Sequence, residues 1–110
     1  MLLSTDLWAS ALIRRAELGG AFATVVRKGD ARAGTVLVKV VNRRAGEARL
    51  YAEAFRGAEG ERVWMQPVAS ADEADLDAYV ERQARIDPDL WLVEIDDTQG
   101  RHFLTEAVEG

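Results

Sequence analysis

The residues best placed to do chemistry in this chain form an acidic segment in its last fifth. Glu94, Asp96 and Asp97 lie within four positions, and His102, the single histidine, follows five residues later. Since side chains alternate along a strand, Glu94 and Asp96 share a face, where carboxylate oxygens could bind a divalent cation. A small metal-dependent hydrolase using this segment, with Glu94, Asp96 and His102 as candidate ligands, is therefore one hypothesis. The alternative is that residues 97–100 form an ordinary solvated turn.

The sequence contains no complete motif of the other catalytic classes considered. The chain has no cysteine, which removes disulfides, thiolate metal sites and cysteine nucleophiles. Neither a Gly-x-x-x-x-Gly-Lys-Ser/Thr run nor a Gly-x-Gly-x-x-Gly run is present, so no standard phosphate cradle is predicted. The Asp-Glu-Ala-Asp string at residues 72–75 fits the acidic first turn of a helix. We therefore predict no cofactor and do not favour an enzyme.

Charge is divided unequally between the two parts of the chain. Residues 1–66 hold eleven Lys or Arg against seven Asp or Glu, whereas residues 67–110 hold three against twelve. Such a split can be neutralised within one molecule, or it can support pairing with a second copy or another protein. The acidic second part argues against an extended polyanion such as nucleic acid.

Two helices are predicted from apolar spacing and from their end signals. The first covers residues 5–18, because apolar residues recur at helical spacing between a capping segment and a glycine pair. The second covers about 71–86. Ser70 and Glu73 match a capping box at its start, and Pro88 stops it.

Strands are predicted where apolar and polar residues alternate between glycine-bearing turns. The clearest alternation is Val36, Val38 and Val40 against Leu37 and Lys39. Short connections leave no room for parallel crossovers among the first four strands. The predicted strands cover residues 21–28, 35–41, 47–55, 61–68, 89–95 and 101–107.

These elements predict an α+β fold within a single domain spanning residues 1–110. The order is α-β-β-β-β-α-β, with a further C-terminal strand optional. We expect an antiparallel meander of four strands plus one or two C-terminal strands. Both helices are expected on one face of this sheet, which gives a two-layer sandwich with its other face free.

That free face defines a candidate binding surface. If the valines of the second strand face the core, basic and aromatic side chains from three strands gather opposite them. Such residues dominate protein-interface hot spots, and they can also stack on bases while neutralising phosphates, as in single-stranded nucleic-acid binding. Ordinary cross-strand pairing gives the same pattern. The candidate residues are Lys39, Arg49, Tyr51, Phe55, Arg62 and Trp64.

Several segments together resemble a known family. They are Thr-Asp-Leu-Trp at 5–8, the Arg14-Arg15 pair, Ala-Gly-Thr-Val at 33–36, Asp-Pro-Asp-Leu-Trp-Leu-Val-Glu at 87–94 and Gly-Arg-His-Phe-Leu at 100–104. The chain resembles an alphaproteobacterial family of small proteins of unknown function, and the resemblance covers nearly its whole length. It implies a small bacterial protein and carries over no catalytic residue.

The composition of the chain indicates its class and its expected location. Hydrophobic residues make up 48% of the chain and charged residues 30%, as in an ordinary globular protein, and no apolar run is long enough to cross a membrane. With no signal-peptide pattern and no cysteine, we expect a cytoplasmic location. We favour a non-enzymatic interaction or accessory module whose partner is a protein or a second copy. The metal-dependent hydrolase and the nucleic-acid platform are the alternatives.

Overall fold

The computed structural model describes residues 4–54 and 63–109. These residues form two helices and six strands in the predicted order, so the α+β class is confirmed. The elements are α1 (Thr5–Leu18), β1 (Phe22–Arg27), β2 (Val36–Asn42), β3 (Glu47–Ala54), β4 (Val63–Met65), α2 (Glu73–Ile86), β5 (Trp91–Asp96) and β6 (Ala107–Glu109).

The six strands form one mixed sheet in the order β1-β5-β2-β3-β4-β6. β5 runs parallel to β2 and antiparallel to β1, so it separates two strands that the four-stranded meander placed side by side. Only β2, β3 and β4 form the expected meander. β5 is buried or half-buried along its whole length and lies inside the sheet, whereas β1 is mostly exposed and lies at the edge.

The two helices lie on opposite faces of the sheet, which corrects the two-layer expectation. In β2, Val38 and the valines two positions before and after it pack with α1. Leu37 and Val41 of the same strand pack with Leu76 and Val80 of α2. Alternate residues of β2 are thus covered from either side. A strand that is apolar on both faces requires this cover.

The turn between β1 and β2 packs closely against the start of β5. The Trp91 indole Nε1 donates a hydrogen bond to the carbonyl oxygen of Asp30 over 2.7 Å. A Cβ added at Gly29 or at Gly34 would lie 2.7 Å from Cδ1 of that indole, so both positions require glycine. The turn that contains Gly29, Asp30 and Gly34 is therefore held on the sheet by its contact with Trp91.

The segment after β5 runs without regular structure until β6. Phe103 has φ of 59°, in the left-handed region, and this interrupts the strand expected over 101–107. Its ring lies against Gly19, where a Cβ would collide with the ring. Leu104 is buried beyond it. A strand consequently begins only at Ala107.

Among the described residues, neither helix has the length and apolar character needed to cross a membrane.

Candidate functional site

The acidic segment proposed as a metal site is occupied by ion pairs. Glu94 lies 3.0 Å from the Lys39 ammonium, and Asp96 lies 3.0 Å from the Arg43 guanidinium. His102 is not beside them, because it packs on Tyr51 on the face that α1 covers. Within residues 4–54 and 63–109, no three Asp, Glu or His side chains are grouped so that they could hold a metal ion.

Lys39 is the centre of the largest charge cluster in the described chain. Its buried ammonium lies 2.8 Å from Glu73, 2.8 Å from Asp77 and 3.0 Å from Glu94. Burial alone would lower the pKa of Lys39, but the hydrogen bonds from its ammonium to the three carboxylates outweigh burial and raise the pKa above its ordinary value. The ammonium therefore stays protonated and fastens α2 to the sheet. It offers neither a base nor a nucleophile.

His102 is held as a neutral structural side chain. Its Nδ1 accepts a hydrogen bond of 2.9 Å from the backbone amide of Leu104, and its ring meets the Tyr51 ring edge-on at 5.1 Å. Burial lowers the pKa of His102, and burial likewise raises the pKa of Tyr51. Both rings support the segment that follows β5.

The predicted basic and aromatic surface is not assembled among the described residues. Tyr51 and Trp64 are buried in the core under α1, whereas Lys39 is buried on the opposite face under α2. Arg49 is exposed, next to Tyr51 in β3. Phe55 and Arg62 lie outside the described residues. Rings that are needed for stacking on a ligand are thus used for packing within the protein.

A cavity of about 520 Å³ lies between the β2–β3 turn and the start of α2. Arg43 and Glu73 on its wall approach each other to 3.8 Å. The described residues around it include no hydroxyl, thiol or imidazole. Its lining residues are Val41, Asn42, Arg43, Gly46, Glu47, Ala48, Ala71, Asp72 and Glu73.

The surface that sequence reasoning missed is the outer edge of β1. β1 ends the sheet, so the backbone groups that point away from β5 have no neighbouring strand within residues 4–54 and 63–109. Three of its six side chains are apolar and exposed: Phe22 is 81% exposed, Val26 55% and Val25 36%. The signal in the sequence was that the first charged residue of this strand is Arg27, at its end.

The two edges of the sheet differ in how they are protected. β6 at the far edge has three residues and ends at an acidic side chain, which are ordinary devices against strand pairing. β1 is twice as long. Its one irregularity is a bulge at Val26, which leaves Phe22 to Val25 as regular strand. Among the described strands, β1 therefore presents the edge more open to another strand.

Fold and surface together define a small α+β protein with a helix on each face of a mixed sheet and an unprotected apolar edge strand. The chain belongs to the DUF1491 family, described as proteins of unknown function, whose model matches residues 3–105. The resemblance found in the sequence is thereby confirmed.

Solved structures of bacterial relatives have the same fold. The crystal structure of a DUF1491 family protein from Caulobacter crescentus is 72% identical, covers 100% of both chains and superposes with a TM-score of 0.91. An NMR structure of a family member from the same species is 74% identical over 100% of this chain and 99% of that one, with a TM-score of 0.92. A solution structure of an A. tumefaciens protein is 33% identical over 100% and 98% of the two chains, with a TM-score of 0.85. A search of curated proteins found no match.

Proposed function

We propose that this protein is a non-catalytic interaction module that receives a strand of another polypeptide along the outer edge of β1. The observation that carries the proposal is that β1 combines an open sheet edge with exposed apolar side chains. The most exposed of these is Phe22, at 81%. Main-chain hydrogen bonds along such an edge supply affinity, and pockets for alternate side chains supply specificity.

The distribution of charge favours the same role. The acids of the segment considered as a metal site are paired with cations: Glu94 with Lys39, Asp96 with Arg43 and Asp97 with Arg101. Paired carboxylates of this kind hold the fold in place. A metal-dependent hydrolase needs these acids to be available to a metal ion. A single-stranded nucleic-acid platform needs the core aromatic rings to be available to the bases.

Site-specific photo-crosslinking in cells of the source organism tests the proposal. A benzoylphenylalanine placed at Val26 reports on the β1 edge, and the same residue at Leu7 is the matched control because the two positions are 55% and 57% exposed. Leu7 lies in α1, on the helix that covers one face of the sheet, and is not part of the edge strand. We expect a discrete protein adduct from position 26 and none of comparable yield from position 7.

Either a second copy of the chain or a different protein in that adduct supports the interaction role. No adduct from position 26, or equal adducts from both positions, would contradict it.

A further inference from the structure

We propose that the strand received by β1 is β1 of a second copy, paired antiparallel about a two-fold axis that passes through Thr24 normal to the sheet. This inference rests on the proposed function and names its partner. It follows from three features of β1: the register in which it can pair with itself, the charge at its two ends and the way such pairing ends the assembly.

The register is restricted by the side-chain faces. A two-fold axis normal to the sheet keeps each face on its own side, so residues paired across the axis must point to the same face. With Thr24 opposite Thr24 of the second copy, Ala23 faces Val25. The bulge at Val26 then brings Arg27 opposite Phe22, since Arg27 and Phe22 lie on one face. Thr–Thr pairs directly opposite each other stabilise antiparallel strands.

Charge complementarity supports this register. Phe22 pairs with Asp96 across the β1–β5 ladder, and Arg27 pairs with Leu92, so all four side chains lie on the face covered by α2. Arg27 of the second copy would therefore lie directly opposite Phe22, with its guanidinium beside the ring, and on the same face as Asp96, which is one strand further into the sheet at about 10 Å between Cα atoms. The same contact is repeated at the other end of the pair by symmetry.

The side chain of Arg27 contains one unsatisfied polar atom. Its Nε is buried without a hydrogen-bond acceptor among the described residues. Burying a polar group without a partner costs free energy, which a second copy would recover by placing an acid at this end of β1. In each copy Asp96 also lies 3.0 Å from Arg43.

The geometry also predicts the size and strength of the assembly. Pairing β1 with β1 uses up the open edge of both copies, leaving β6 at both ends, so the assembly closes at two. Each copy contributes six strand residues, whereas standard interfaces use about 20–30 residues a side. We therefore expect a weak dimer, with Kd on the order of micromolar or weaker.

Sedimentation equilibrium of the full chain over a range of concentrations tests the dimer. Thr24→Lys puts two ammonium groups opposite each other at the axis, whereas within one copy it faces Glu94, which is compatible with folding. Thr98→Lys is the matched control, because Thr98 is exposed in the turn after β5. We expect wild type and Thr98→Lys to dimerise alike and Thr24→Lys to raise the dissociation constant at least tenfold.

A single introduced cysteine locates the axis. The natural chain has none, so Thr24→Cys and Thr98→Cys each supply one thiol. Residues directly opposite in an antiparallel pair have Cα atoms about 4.5–5.5 Å apart, within the range that a disulfide spans. We expect mild oxidation to convert Thr24→Cys to a covalent dimer much faster than Thr98→Cys.

The outcomes separate this inference from the proposed function. A wild-type chain that stays monomeric at all concentrations, or cysteine variants that oxidise at equal rates, would overturn the dimer. If the chain is monomeric and position 26 crosslinks to another protein in cells, the interaction role stands with a different partner. If neither association is seen, both proposals fail.

Discussion

The indole rings of Trp8 and Trp64 stack with their centroids 5.3 Å apart and their planes 26° from parallel. One carboxylate joins them: Glu106 accepts a hydrogen bond from each indole, at 3.0 Å and 3.1 Å. Trp8 belongs to α1 and Trp64 to β4, so Glu106 ties the segment before β6 to both. This contact fixes the C-terminal segment on the face covered by α1.

Glu106→Gln should loosen that connection. A glutamine keeps the shape but has a single acceptor oxygen, so at least one indole N–H loses its partner, at a cost of about 1–3 kcal/mol. Urea unfolding followed by tryptophan fluorescence measures the change, and near-ultraviolet circular dichroism reports the indole stack. Glu109→Gln, at an exposed position in β6, is the control and should leave both signals unchanged. Equal stability of the two variants would contradict the role given to Glu106.

Removing the Lys39 ammonium should destabilise the fold more strongly than removing an exposed one. Lys39→Met removes the ammonium that lies within 3.0 Å of Glu73, Asp77 and Glu94 and leaves only the more distant Arg43, 3.8 Å from Glu73 and from Glu94, as the cation beside them among the described residues. Because these acids are partly exposed and can hydrate, we expect a loss of about 1–3 kcal/mol in the free energy of unfolding.

Lys28→Met, at an exposed position, serves as the control for Lys39→Met in the same urea titrations. A Lys39→Met protein as stable as Lys28→Met at neutral pH would rule out this account of the cluster.

Gly34→Ala should displace the turn that packs on Trp91. The added Cβ would lie 2.7 Å from the indole Cδ1 and closer still to the Asp89 carbonyl oxygen. Overpacking of this kind costs about 1–3 kcal/mol. The indole N–H resonance of Trp91 should also shift, because its bond to Asp30 depends on the turn. Gly20→Ala meets no atom within 4 Å, and although alanine is strained at its φ of 93°, that strain lies at the end of α1, so the Trp91 resonance should stay in place. An unshifted resonance in Gly34→Ala would be inconsistent with this packing.

Asp97 should make the fold sensitive to acid. Hydrogen bonds from the Arg101 side chain and backbone hold the pKa of buried Asp97 below its ordinary value. A lowered carboxyl pKa contributes stability that is present above the unfolded-state pKa and is lost as the pH falls through the folded-state pKa. Asp97→Asn should therefore have a lower urea midpoint than wild type at neutral pH, and the gap should close in strong acid.

Asp89→Asn, which changes an exposed carboxyl group, is the comparison for Asp97→Asn. Its urea midpoint at neutral pH should be close to that of wild type. A gap between wild type and Asp97→Asn that does not depend on pH would show that the carboxylate charge contributes nothing.

The helices and most strands could be predicted because their signals are local. Spacing and a glycine pair placed α1 at residues 5–18, as observed. The start of α2 was misplaced, because Asp72, not Ser70, caps it by accepting a bond from the Ala74 amide. Both side chains are good caps, and the sequence does not say which one the chain geometry will use.

The order of the strands could not be predicted from the sequence. Which candidate site residues lie together depends on that order, so their grouping could not be predicted either. Inserting β5 beside β2 places Lys39 opposite Glu94, so two residues assigned to separate functions become one ion pair. Tyr51 and Trp64 were expected at the surface because both helices were expected on one face of the sheet. Edge strands are set by the whole sheet, so β1 could be recognised only after its neighbours were known.

Amide hydrogen exchange along β1 tests the central claim most directly. It should be recorded for the wild-type chain at concentrations well below and well above the dimer midpoint, with Thr24→Lys as a reference. The account predicts that outward-facing amides of Phe22–Arg27 exchange more slowly at high concentration in wild type alone, while β6 amides do not change. Exchange along β1 that is independent of concentration, or protection that Thr24→Lys retains, would contradict pairing through this edge.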